Sequence, residues 1–151
     1  MAAKNMDEEC LFCRIAKGET PSHLVYEDDQ VVCFLDICPI RRGHAQIVPR
    51  AHHPYFESLP AELAASVMFL GQRLATGMKR LYQVKRVAFL FSGGDIDHAH
   101  AHLVPMHHPT DITSRRYIVE EKLTFRNTPR PPDEELAEVA GELRGVLVAA
   151  T

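Results

Sequence analysis

The stretch His98-Ala99-His100-Ala101-His102-Leu103-Val104-Pro105 decides how this chain is read. Side chains alternate between the two faces of a strand, so three imidazoles at every second position share one face if the run is extended. Neighbours at i and i+2 then stand roughly 6–7 Å apart along the strand, close enough for two rings to act on one phosphate or one metal ion. A purely structural strand would bury Val or Ile at such positions. Histidine is also the side chain that titrates nearest neutrality, so it supplies an uncharged nitrogen nucleophile or a transferable proton. The run is therefore a candidate reaction centre, predicted to form a strand after the tight loop Ser92-Gly93-Gly94-Asp95.

Outward from that run, Val84 to Phe91 alternates as a preceding strand. His23 to Glu27 and Gln30 to Leu35 read as a hairpin turning at Glu27-Asp28-Asp29-Gln30, and His44 to Val48 as a third strand after Gly43. Tyr117 to Val119 and Lys122 to Phe125 read as short edge strands. The longest helical pattern opens at Pro60 and reaches about Tyr82, with Leu63, Val67, Leu70, Leu74, Met78 and Leu81 on one face. Cys10 to Lys17 reads as a short apolar helical turn stopped by Gly18. A C-terminal helix is expected over Asp133 to Val148, with Asp133 as N-cap and Leu136, Val139, Ala140 and Leu143 facing inward. The pattern predicts an α+β fold: a mostly antiparallel sheet of about five strands, one long helix and a final helix. Residues 1–9 are expected to be a tail and residues 10–151 a single domain.

The 151 residues, 46% hydrophobic and 25% charged, have the composition of a globular domain able to bury a core. A net charge of −3 argues against a general nucleic-acid binder, but a small phosphate site needs only a few local donors. No apolar run approaches the ~20 residues that span a bilayer, and the polar, acidic start is unlike a signal peptide. The expectation is a cytoplasmic protein with no membrane and no nucleic-acid partner, and with reduced thiols. Cys33 and Cys38 then read as buried free thiols, whereas Cys10 and Cys13 have the Cys-x-x-Cys spacing of metal or redox pairs.

Four ordered motifs carry a family resemblance. The triple-histidine run resembles the His-φ-His-φ-His-φ-φ signature (φ, apolar) of the histidine-triad (HIT) superfamily. Cys10-Leu11-Phe12-Cys13-Arg14-Ile15 is similar to that family's N-terminal motif, Phe34-Leu35-Asp36-Ile37-x-Pro39 to its nucleoside-pocket segment, and Gly43-His44 through Pro49-Arg50-x-His52 to the strand and basic turn that follow. The resemblance covers residues 10–108 well. It implies a nucleotide hydrolase or nucleotidyltransferase acting at the α-phosphate, with His100 as the attacking residue and His102 and His44 around the same phosphate. It further implies that Asp36 contacts the ribose, that Leu11, Phe12, Ile15, Phe34, Leu35 and Ile37 hold the base, and that the subunits form a homodimer. Ala64, Val67, Met68 and Phe69, apolar residues off the main helical stripe, agree with a covered face.

The resemblance also makes Cys10, Cys13, His52 and His98 a Cys₂His₂ set for one structural zinc, with His53 competing with His52 by position. Ideal alternation conflicts with this, because it leaves His98 on the face of His100. His23, His107 and His108 read as surface residues. The segment Phe91 to His98 is shorter than the loop of the common hydrolase branches. Ser92 and Asp95 fall where the family contacts the ribose and phosphate, and Asp95 and Asp97 bring negative charge there. Two other functions remain open at this level. One is a metal-dependent hydrolase using the triad as its metal site. The other is a nucleotide-binding scaffold without catalysis.

Overall fold

The computed structural model describes residues 10–92, 96–113, 122 and 127–149. Five strands, β1 (Leu24–Glu27), β2 (Val31–Leu35), β3 (Ala45–Pro49), β4 (Arg86–Phe91) and β5 (Ala101–Met106), form one sheet in the order β1-β2-β3-β5-β4. Every neighbouring pair is antiparallel. Among the described residues three α-helices accompany them: α1 (Leu11–Ala16), α2 (Ala61–Leu81) and α3 (Asp133–Val148). The α+β class and the five-stranded sheet are as the sequence predicts. The expected edge strands near 117–125 fall, Lys122 aside, outside the described residues, as does the tail.

Alternation explains why the central strands are buried on both faces. Val31, Cys33 and Leu35 of β2, Ala45 and Ile47 of β3, and Ala101 and Leu103 of β5 join the main core with α2 and α3. The in-between residues Val32, Phe34 and Val48 pack with Phe12, Ile15 and Ala16 of α1 in a smaller core on the other face. The register then aligns Phe34, Gln46, His102 and Leu90 in one row across β2, β3, β5 and β4. That row places the last triad histidine on the α1 side of the sheet.

Several expectations are corrected. The histidine run is not a continuous strand, for β5 begins only at Ala101. His98 closes a turn through its N–H to the Ile96 carbonyl, and the Ala99 N–H bonds the His53 carbonyl (2.7 Å), so strict alternation does not apply upstream of Ala101. Leu35 faces the main core, opposite Phe34, and lies away from the α1 side. Asp133 is the first helical residue of α3 rather than its cap, because Pro132 occupies the cap and Arg130 and His23 take the Asp133 carboxylate. Leu81 and Cys38 are exposed, the first in the last turn of α2 and the second in the loop after β2. Val67 is 1% exposed and belongs to the core.

Among the described residues, Gly43, which leads the chain into β3, is the turn glycine that bears on the site. Its φ is +89°, and a Cβ there would meet the Tyr82 ring at 2.5–2.7 Å. Backbone strain and a clash with a half-buried ring therefore act together. Gly43→Ala should lower unfolding free energy by about 2–3 kcal/mol, read as a shifted urea midpoint at unchanged m-value; a midpoint like wild type would mean that the ring and loop yield freely.

Candidate active site and metal centre

The residues that precede β5, the loop after β2 and the start of β3 converge on the α1 side of the sheet. His100 is 7% exposed, and its Nδ1 stands 2.6 Å from the His98 carbonyl. A carbonyl only accepts, so Nδ1 carries a proton, and in the neutral ring Nε2 is the bare nitrogen. Phe12 packs edge-on against the ring, with centroids 5.1 Å apart.

A second pair lies beside it. The Ile40 N–H donates to His44 Nδ1 (3.2 Å), so the His44 proton sits at Nε2. That N–H faces His102 Nδ1 at 2.9 Å and Asp36 Oδ2 at 3.8 Å. His102 therefore accepts at Nδ1 and carries its own proton at Nε2. Burial, with His44 and His100 adding to it and Asp36 opposing, pushes the His102 pKa down to about 4. Burial likewise lowers that of His44, against Asp36. Both are neutral at pH 7. The Asp36 carboxylate accepts from the Cys38 N–H (2.8 Å) and from Gln46 Nε2 (2.7 Å) and keeps part of its surface open.

Sequence reasoning passed over Gln46. It is 7% exposed and its Oε1 finds no partner among the described residues. An amide at an otherwise apolar β3 position, two residues past His44, was the available signal. Phe12, Ile15 and Phe34 are buried together, whereas Leu11 and Ile37 are exposed. Ser92 lines a cavity of about 180 Å³ with Tyr55, Phe56, Phe91, Ile96 and His100. Asp95 lies outside the described residues, and Asp97 is exposed.

The four expected metal ligands come together on the other side of His98. Its Nδ1 is 3.4 Å from both Cys10 Sγ and Cys13 Sγ, and His52 Nδ1 is 3.3 Å from Cys13 Sγ. All four ligand atoms lie within 4.8 Å of one another. Tetrahedral zinc with the usual bond lengths requires sulfur–nitrogen edges of roughly 3.5 Å, so the set fits that ion. His98 Nε2 donates to the Pro49 carbonyl (2.9 Å), leaving Nδ1 as the bare nitrogen directed at the thiols. Burial pushes the His98 pKa down to about 4, which keeps that nitrogen unprotonated. His52 rather than His53 joins the set; His53 lines a separate cleft beside Arg50 and Pro60. Asp36, His44 and His102 also group, but their 2.9 Å nitrogen–nitrogen contact is that of a hydrogen bond. Two nitrogens on tetrahedral zinc would stand roughly 3.3 Å apart.

The HIT domain model matches residues 17–109, more than half of the chain. The chain belongs to the HIT family. It is 36% identical over 105 residues to an adenosine 5'-monophosphoramidase of Saccharomyces cerevisiae, covering 69% of this chain and 66% of that protein. It is 29% identical over 108 residues to an adenylylsulfatase of Arabidopsis thaliana, covering 68% of this chain and 55% of the plant protein. A zinc-bound histidine triad protein of Mycobacterium smegmatis superposes with a TM-score of 0.73 at 28% identity, covering 95% and 96% of the two chains. No described helix of this HIT protein is long and apolar enough to cross a membrane.

The neutral histidines give the fold a pH dependence of definite sign. An unfolded histidine takes its proton near pH 6.5, whereas folded His102 resists it down to about 4. Its contribution is fully present above about pH 6.5 and is lost as pH falls towards 4. Stability should decline over that window, with His102 accounting for on the order of 2 kcal/mol. His102→Gln should flatten the decline in urea titrations; an equally steep decline in that variant would show that His102 is not its source.

Proposed function

We propose that the chain is a nucleotide hydrolase or nucleotidyltransferase that cleaves at the α-phosphate through a covalent nucleotidyl-histidine on His100. One observation carries this reading: the 2.6 Å bond from His100 Nδ1 to the His98 carbonyl leaves Nε2 as a lone-pair nucleophile in a histidine cluster. Nε2 bonds to the α-phosphorus as the bond to the leaving group breaks, and the departing atom takes its proton from water. A second water then displaces His100, so that its oxygen joins phosphorus, the Nε2–P bond breaks and one proton passes to solvent. His102, with its proton at Nε2, donates a hydrogen bond to a phosphoryl oxygen, and His44 holds it in that tautomer. Asp36 accepts from the ribose hydroxyls, and Phe12, Ile15 and Phe34, with Leu11 and Ile37 at the exposed edge, form the base side. Ser92 belongs to the phosphate side. The printed activities of the yeast and plant relatives support an adenylyl-type substrate.

Cys10, Cys13, His52 and His98 would hold one structural zinc, which has no open position for substrate and would tie α1 to the segment before β5. The proposed assembly is a homodimer in the cytoplasm. Met68 and Phe69 of α2 are 47% and 65% exposed, and β4 leaves one sheet edge unpaired among the described residues. A two-fold partner would cover both features.

His100→Ala should fold as wild type and lose turnover of an adenosine 5'-phosphoramidate by at least about a thousandfold. Acid-quenched mixtures of wild type with substrate labelled at the α-phosphate should contain labelled protein, and the variant none. Near-wild-type turnover by the variant would end the covalent reading. Native mass spectrometry should find two chains carrying two zinc ions; a metal-free monomer, unchanged by Cys13→Ser, would remove both the zinc and the dimer.

A further inference from the structure

We infer that Asp111, acting through Arg41, is a positioning residue for the His44–His102 pair, an inference that rests on the reading of the site given above. Asp111 closes the 3₁₀ turn Pro109–Asp111 just after β5, and its side chain is only 7% exposed. The Arg41 guanidinium grips it at two points, Nη2 to Oδ1 at 2.7 Å and Nε to Oδ2 at 2.9 Å. The backbone N–H groups of His107 (2.9 Å) and His108 (3.0 Å) also donate to Oδ2. Four donors thus converge on one carboxylate, and they hold its pKa well below the usual carboxylate range. A two-point fork fixes orientation as well as distance, which the single-atom contacts of Arg42 with Glu135, Glu138 and Glu142 (3.2–3.3 Å) do not.

The other end of the clasp is a small closed loop. The His44 N–H donates to the Arg41 carbonyl (3.0 Å), and the Ile40 N–H donates to His44 Nδ1 (3.2 Å). Arg41 therefore lies inside the turn that decides which nitrogen of His44 is protonated. Asp111, in turn, is tied to the end of β5, the strand that carries His102. The β3–β5 ladder brings the two rings to 2.9 Å, and the clasp ties the turn that carries His44 to the end of β5 from outside the site. Once it opens, the His44 ring is free to turn from the Ile40 N–H and take its proton at Nδ1. His102 then loses its donor, its own proton moves between its two nitrogens, and the hydrogen bond to the phosphoryl oxygen is no longer preset. A surface ion pair with no such role would contribute only to folding stability, and little to that.

The test uses the full chain, with Asp111→Asn, Arg41→Lys and the corresponding double variant. Long-range ¹H–¹⁵N correlation of the imidazoles reads the tautomers directly, without turnover. Wild type should show His44 and His102 protonated at Nε2. Both single variants should show averaged shifts for His44, and the double variant should be no worse than either. With an adenosine 5'-phosphoramidate, kcat should fall about ten- to a hundredfold at a KM within twofold of wild type. Unchanged tautomers in folded Asp111→Asn would overturn the inference, as would an unchanged kcat beside a lowered urea midpoint. If Asp111→Asn does not fold, Arg41→Lys, which keeps the charge and loses the fork, is judged by the same criteria. If wild type itself turns over no nucleotide, the reaction proposed above fails and the tautomer measurement alone decides this inference.

Discussion

His98 is fully buried and uses every polar group it has. Its ring Nε2 donates to the Pro49 carbonyl at the end of β3, its Nδ1 faces the two thiols around α1, and its N–H closes the turn on Ile96. Its carbonyl accepts from His100. A buried imidazole with an unmet donor or acceptor would be costly, so this residue fixes three segments of chain relative to one another. The tautomer of His100, the proposed nucleophile, follows from where that carbonyl points. The direction of Nδ1 towards the thiols and the orientation of His100 are therefore two consequences of one placement. This is why the candidate zinc site and the candidate active site share a wall.

The rest of the site continues the same logic, with backbone groups assigning protons to rings. His100 donates a hydrogen bond from Nδ1 to a carbonyl, whereas His44 accepts one at Nδ1 from the Ile40 N–H. Opposite tautomers thus arise from opposite backbone partners. Burial removes the charged form of His102 and lowers that of His44, so the set stands ready as one bare nitrogen beside one N–H donor. The sheet makes this possible by covering both of its faces. The large core beneath α2 and α3 holds the strands rigid, and the small core beneath α1 keeps water from the rings.

Strand and helix positions were legible because their side chains obey simple periods. Leu63, Val67, Leu70, Leu74 and Met78 follow the helical period and are buried. The shared side of Phe34, Gln46 and His102 follows from alternation and register. The period failed where backbone geometry takes over. His98 and His100 look like strand residues by spacing, but a turn bonded to Ile96 and His53 aims His98 at the thiols instead. Leu35 sits in a recognisable motif and still faces the main core, because alternation within β2 sets it opposite Phe34. Gln46 stood out only as an amide in an apolar strand, and neither its bond to Asp36 nor the clasp between Arg41 and Asp111 was legible. They depend on contacts across 10 and 70 residues of sequence, and no local pattern encodes them.

Among the described residues, the arginines around the site point to a further constraint on its chemistry. Arg41 is taken by Asp111, Arg42 by the three glutamates of α3, and Arg50 by Glu27 and by the Asp28 and Ala16 carbonyls. These guanidinium groups hold loops together rather than meeting a substrate. A phosphate brought to His100 would find neutral imidazoles, with Asp36 nearby carrying a negative charge. As far as the described residues go, such a site stabilises charge by directed N–H groups rather than by full cations, and directed groups act strongly only where water is excluded and their orientation is set beforehand. That places the demand on geometry. A ring turned the wrong way cannot be offset by a nearby charge, so the hydrogen bonds that assign each tautomer are as necessary to the proposed reaction as the nucleophile they orient.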